Sequence, residues 1–241
     1  MNVIWAEQDI APDESLWRYI RADRFVEMID RRCLYFASAR QFDDPFEGAT
    51  SIVYPHPVDP RFERIDGTER AFEELRRLTK ISCWNKGEDE SEAMWKLYAS
   101  ERKGVAIRTT ASKLKNALRP FHLEPRFAEE TPVWGHVRYV DLTKVRLNVG
   151  MLERFFYKHK AFESEHELRI AISLRSAEEA GVAVPESGIS VPFEPHILIE
   201  EIILGPNLQG EDKRAVEDTC RANELHSLVK TSSLLWQPRY I

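Results

Sequence analysis

Apolar residues recur along this chain at two periods, near two and near 3.6, and the switches between them mark its elements. "SLWRYI" (15–20) reads as a short strand, and "ADRFVEMIDRR" after it sets Phe25, Met28, Ile29 and Arg32 at helical spacing. "CLYFASA" (33–39) returns to strand character. The acidic stretch "QFDDPFEG" (41–48) is then the loop leaving a β-α-β unit, because Pro45 fits neither a helix interior nor a central strand. "TSIVYP" (50–55) predicts a further strand, and the Pro-rich "YPHPVDPRF" after it an exposed connection. "GTERAFEELRRLTK" (67–80) is helical, with Phe72 and Leu75 on one face, and "KISCW" makes a compact strand.

The next segment, "GEDESEAMWKLYASERKG" (87–104), opens with acids and ends with bases. That order suits the helix dipole, and Gly104 suits the stop. "GVAIRTT" (104–110) is a strand and "SKLKNAL" a short helix. "HVRYVDL" (136–142) alternates as a strand with Val137, Tyr139 and Asp141 on one face. "GMLERFFYKHKAF" (150–162) predicts an amphipathic helix through Leu152, Phe155, Phe156, His159 and Phe162. Strands "ESEHELRIAIS", "ISVPF" and "EEIILG", a helix over "GEDKRAVEDTCRANEL" and a last strand "SLVKTS" complete the pattern. Several strands follow one another without helices between them, which favours a mixed sheet over strict βαβ winding. With no repeat and no Gly/Ser-rich linker, the expected architecture is an N-terminal extension (1–14) and one α+β domain (15–241), a mixed-sheet core carrying about six helices.

Composition narrows the class. A 241-residue chain with 43% hydrophobic and 10% aromatic residues has enough apolar material for a large core. Its net charge of −6 argues against a broadly basic nucleic-acid surface. Cys33, Cys83 and Cys220 form no CxxC pair and read as reduced core thiols. The start lacks a basic segment followed by an apolar one, and no apolar run approaches the roughly 20 residues that span a bilayer. A cytoplasmic protein without membrane attachment is the expectation.

Two acidic segments carry the candidate chemistry. In "FDDPFEG", Asp43 and Asp44 can accept hydrogen bonds from backbone N–H groups a residue or two onward, and Asp44 and Glu47 can instead face a cleft as acid/base groups or ligands of a hard cation. In "ESEHELRIAIS", period-two alternation puts Leu168, Ile170 and Ile172 on the core face and Glu165, Glu167 and Arg169 on the other. That second face is either solvated or walled by another element, in which case Arg169 must compensate the carboxylates. No phosphate-loop, dinucleotide, HExxH or GxSxG motif occurs, so the sequence names no metal site.

"LYFASARQFDDPFEG", "KISCW", "MWKLYASERKGVAI", "VRY" and "KAFESEHELRIAI…EEIILGP", in that order over about residues 15–207, resemble a large bacterial family defined as domain of unknown function 2971. The chain departs from it at Asp43, where Asn is usual, and at His166, where a bulky aromatic is common. The order of an Arg-bearing first strand, a second strand ending in aromatic and Ser, and a late ExE strand is more distantly similar to ADP-ribosyltransferases. That similarity implies NAD as the cofactor, Arg18 on its pyrophosphate, Tyr35 or Ser38 at the nicotinamide ribose, and Glu167, with Glu165 beside it, at the reacting carbon. Two alternatives stand beside it. One is a non-catalytic module binding a nucleotide or protein partner between "DDPFE" and "ExExR". The other is a metal-dependent nuclease built from Asp44, Glu47, Glu165 and Glu167, for which no lysine is found beside two acids.

Overall fold

The computed structural model describes residues 10–52 and 66–240. In chain order the regular elements are β1 (Ser15–Ile20), α1 (Ala22–Arg31), β2 (Cys33–Ser38), α2 (Asp66–Leu78), β3 (Thr79–Lys86), α3 (Glu92–Tyr98), β4 (Val105–Thr110), α4 (Ala111–Ala117), β5 (Val133–His136), β6 (Arg138–Val140), β7 (Tyr157–His159), β8 (Glu167–Ser173), α5 (Arg175–Glu179), β9 (Ile189–Pro192), α6 (Pro195–Leu198), β10 (Glu201–Leu204), α7 (Gly210–Ala222) and β11 (Val229–Thr231). Nine strands form a mixed sheet, and β6 and β7 make a separate parallel pair, so the chain is α+β as its pattern implies. None of the described helices is long and apolar enough to cross a membrane.

The chain divides into two compact units. Among the described residues, the first holds 35–52, 66–83 and 120–190, and the second 10–34, 84–119 and 191–240. In the second unit β4 lies between β1 and β10, antiparallel to both, with Trp17 opposite Arg108 and Ile202 opposite Ile107. β11 then adds in parallel to β10. Trp17, Tyr19, Met94, Trp95, Ala99, Ala106 and Ile203 form one buried cluster there. The helix expected over 87–104 is shorter. Ser91 caps it, its Oγ accepting from Met94 N at 3.3 Å, and the left-handed Ser100, Glu101 and Arg102 unwind it. Gly104 is needed for a different reason than a helix stop: a Cβ there would meet the Ile20 carbonyl oxygen at 2.1 Å.

In the first unit, β2 pairs antiparallel with the start of β3, Ala37 opposite Ile81. β8 pairs with β3 and with β5, setting Trp134 opposite Ile170 and Gly135 opposite Arg169. Every residue of β8 from Glu167 to Ile172 is buried, so both faces of this strand are covered. The amphipathic helix expected over 150–162 does not form. A 3₁₀ turn (Glu153–Phe156), β7 and a second 3₁₀ turn (Lys160–Glu165) take its place. Phe155 and Phe156 join Ala39, Ile81 and Ala171 in the core. β7 then turns Lys158 inward, in the period of a strand. The expected strand 136–142 is divided at Val137 between the end of β5 and β6. The strand expected at 50–55 is absent from 50–52, and its remainder, with the Pro-rich connection after it, lies outside the described residues.

Candidate functional site

Alternation along β8 puts Glu167 and Arg169 on one face, as the sequence implies. That face is walled rather than solvated: Arg169 is 0% exposed and Glu167 7%. Arg169 compensates the carboxylates. Its Nε donates to Glu167 Oε2 at 2.6 Å. Its two terminal nitrogens make a fork on Glu47, at 2.7 and 3.0 Å, the planar geometry that suits a carboxylate. Nη1 also donates to the Phe155 carbonyl at 2.6 Å, and the Phe42 ring covers the guanidinium at 5.5 Å.

The acidic loop is shaped to deliver Glu47. Asp44 Oδ1 accepts from Phe46 N at 2.8 Å, the turn role expected of it. Glu47 N donates to Asp44 O and Ala49 N to Phe46 O. Gly48 follows at φ 76°, where a Cβ would meet the Phe155 ring at 2.6 Å. A residue that adopts left-handed backbone without a side chain is required at this point. Asp43 stays exposed.

Glu165 and Glu167 meet through a residue that no sequence motif marks. Lys158 Nζ donates to Glu165 Oε2 at 2.5 Å and to Glu167 Oε1 at 2.9 Å. A lysine therefore does stand beside two acids, against the sequence expectation. It comes from β7, carried there by the 3₁₀ turn and by left-handed His166 at φ 41°. The Phe162 ring lies 4.7 Å from its ammonium. The readable signal was period-two alternation within "FFYKHKAF", with the lysine on the inward beat. Tyr139, on β6, was missed as well; its hydroxyl accepts from Glu167 N at 2.8 Å.

The result is a chain of alternating charge, Glu47, Arg169, Glu167, Lys158, Glu165, buried throughout, its side-chain exposure lowest at Glu47 and Arg169 (0%) and highest at Glu165 (10%). The charges set the protonation. Burial and the neighbouring Glu167 push the Glu165 carboxyl up to about 7. Burial works the same way on Glu167, but Arg169 and Lys158 outweigh it and hold that carboxylate well below its usual range. Burial also pushes up the nearby Cys83 thiol. Among the described residues, no group of three His, Cys, Asp or Glu side chains is arranged to hold a metal ion; in this cluster the two cations lie between the carboxylates.

The remaining sequence-predicted residues hold other segments. The Tyr35 hydroxyl donates to Gln41 Oε1 and accepts from Gly188 N, each at 2.8 Å. Ser38 is buried; its Oγ donates to Arg76 O at 3.1 Å and accepts from Arg40 N, capping the 3₁₀ turn Ala39–Gln41. Arg18 belongs to the second unit, where its guanidinium lies 5.5 Å from the Trp84 ring.

The fold and this cluster define an α+β protein whose late ExExR strand is tied to a DPFE loop by buried ion pairs. Residues 94–170 match the family model described as "Protein of unknown function (DUF2971)", which bears out the resemblance over that stretch. The matched segment contains Lys158, Glu165, Glu167 and Arg169 and leaves Glu47 outside. Neither the curated proteins nor the solved structures gave a match.

Proposed function

We propose that the first unit carries an acid–base site acting at a glycosidic bond to ribose, as in the transfer of ADP-ribose from NAD. One observation carries this reading. Two carboxylates share a single lysine in surroundings that drive their proton affinities apart, so near neutral pH one retains a proton and the other stays ionised. Such a pair divides acid and base roles. Glu165, the most exposed member of the chain, is the base that in its ionised state takes the proton lost by the attacking nucleophile; nicotinamide leaves as a neutral base with the electrons of the broken C–N bond and needs no proton. Glu167 supplies the fixed negative charge that favours an oxocarbenium-like transition state. Lys158 and Arg169 are positioning residues that keep Glu167 ionised. Tyr35 stays in the proposal as a contact for NAD, whereas Ser38 is not needed, its hydroxyl being spent on α2 and the cap.

The test is the melting temperature of the whole chain with and without NAD, AMP and magnesium, followed by an assay for nicotinamide release. A ligand that binds the native state raises the melting temperature. The expected outcome is a rise with NAD, nicotinamide release by the wild type, and loss of that release in Glu165→Gln. A second reading, a non-catalytic nucleotide- or protein-binding module, is favoured by the saturation of the cluster, in which every charged group is already paired. NAD or AMP raising the melting temperature of wild type and Glu165→Gln alike, with no turnover, would establish it instead. A rise with magnesium alone would move the choice to the nuclease reading of Asp44, Glu47, Glu165 and Glu167.

A further inference from the structure

The first unit holds a guanidinium that the buried cluster does not use. The 3₁₀ turn Glu153–Phe156 is fixed through its backbone, Arg154 N donating to Gly150 O and Phe155 N to Leu152 O, each at 3.2 Å. It buries Phe155 and Phe156 and leaves Arg154 half-buried. The Arg154 guanidinium lies 5.7 Å from the centre of the Phe72 ring on α2. Arg76, one helical turn further along α2, lies 6.0 Å from the same ring. Two cations therefore attend one phenyl group.

Their donors are used differently. Arg76 gives Nε and Nη2 to the Ala39 carbonyl, at 3.4 and 3.2 Å, and Nη1 to Glu73 at 3.3 Å. Arg154 gives its side-chain donors to no acceptor among the described residues, and its Nε is enclosed without a partner. The adjacent Glu153 is engaged elsewhere, its Oε2 accepting from Gly150 N at 3.2 Å. Burial lowers the proton affinity of Arg154, and no carboxylate restores it. An enclosed N–H without an acceptor costs free energy, and contact with a half-buried ring offsets only part of that cost. Only Nε is enclosed, so the two terminal nitrogens remain as an unused planar pair of donors.

We propose that Arg154 anchors an oxyanion site on the first unit, its terminal nitrogens forking onto the phosphate or carboxylate group of a small-molecule ligand while the Phe72 ring and the 3₁₀ turn hold the guanidinium in place. Two oxygens on one central atom match the spacing of those nitrogens. A guanidinium already seated against a ring loses little freedom when the anion arrives, which favours binding. Arg76 faces Glu73, so Arg154 is the cation at this ring that lacks a counter-ion. The same turn carries the Phe155 carbonyl that accepts from Arg169, and a bound anion steadies that backbone. The site needs neither NAD nor any turnover, so it stands or falls apart from the proposed activity.

The experiment compares the melting temperatures of wild type, Arg154→Met and Arg146→Met in rising inorganic phosphate, with ionic strength held constant by chloride. Arg146 is an exposed arginine of the same unit and controls for the loss of one surface charge. Wild type and Arg146→Met are expected to show a saturable rise. In Arg154→Met the half-saturating concentration should increase by about ten- to a hundredfold, as the loss of a charge-assisted fork predicts. Acetate titrated in the same way separates the two ligand groups: tighter saturation by phosphate assigns a phosphate ester, and tighter saturation by acetate a carboxylate. Equal half-saturation in wild type and Arg154→Met, or no saturable rise with either anion, overturns the proposal. Should Arg154→Met fail to fold, Arg154→Lys decides, because it keeps the charge and removes the fork: weaker saturation supports the site, and unchanged saturation overturns it.

Discussion

Glu90 in the second unit and Glu167 in the first are both carboxylates held below their usual proton affinity, and they are held by different means. Glu90 takes only neutral donors: Trp95 Nε1 at 2.9 Å, Ser232 Oγ at 2.7 Å, Ser233 N at 2.5 Å and the Ser233 hydroxyl. These dipoles overcome the opposing effect of burial, and the charge stays single. Glu167 is held by two cations, which brings in further carboxylates to balance them. Dipoles solvate a charge locally, whereas buried ions must be balanced across the whole group. The first arrangement fixes a chain segment. The second ties the DPFE loop to β7 and β8 through one balance of charges.

Arg169→Met should break the second arrangement most severely. It removes the cation shared by Glu47 and Glu167 and leaves both enclosed without it. Breaking a buried ion pair from one side costs about 3 to 5 kcal/mol, so urea unfolding should show a loss of that size. A loss below about 1 kcal/mol would mean that the cluster is far more hydrated than its burial implies. Glu47→Gln is milder, since one oxygen can still accept from Arg169. Losing one charge-assisted bond from the fork predicts about 1.5 to 3 kcal/mol in the same measurement.

The legibility of these two regions differs for a physical reason. β1, α1, β2 and α7 emerged from the sequence because each is governed by local periodicity and one buried face. The segment 150–162 was misread because Leu152, Phe155, Phe156 and His159 satisfy a helical stripe, while the tertiary environment buries Phe156 and Lys158 as a strand does. Glu165, Glu167 and Arg169 were readable as one face of β8, yet whether that face was wet depended on groups the local pattern does not contain. Arg169 meets Glu47 across 122 residues of sequence. Lys158 was hidden by the helical reading itself, since on a helix it would not share the inward beat of Phe156. Local signals place residues on elements; balance among buried charges is a property of the assembled fold.

Glu90→Ala sharpens the contrast from the other side. It strips an acceptor from Trp95, Ser232 and Ser233 but leaves no charge unpaired, and part of the site is open to water. The expected loss is about 1 to 2 kcal/mol. Glu90→Gln should recover part of it, because an amide oxygen accepts from the same donors. Hydrogen exchange should show the difference at Ser233 N and Leu234 N, the second of which donates to Ser232 Oγ at 3.2 Å. A Glu90→Gln variant as damaged as Glu90→Ala would show that the carboxylate charge, and not the number of acceptors, holds the C-terminal segment.

The smallest effect belongs to Asp44, which sits beside Glu47 yet resembles Glu90 in being held by a neutral donor. Oδ1 accepts from Phe46 N, while the buried Oδ2 has no hydrogen-bond partner among the described residues. Asp44→Ala therefore removes one useful bond together with one poorly satisfied acceptor, and these partly offset each other. The net loss should be about 1 kcal/mol, at the low end for a buried acceptor. Asp44→Asn should sit closer to wild type, since its oxygen can keep the bond to Phe46 N. If the turn is what aims Glu47 at Arg169, Asp44→Ala should also weaken the fork, and its cost combined with Glu47→Gln should fall short of the sum of the two single changes. Strict additivity in that double-mutant cycle would mean that Gly48 and Phe155 aim the loop without help from Asp44.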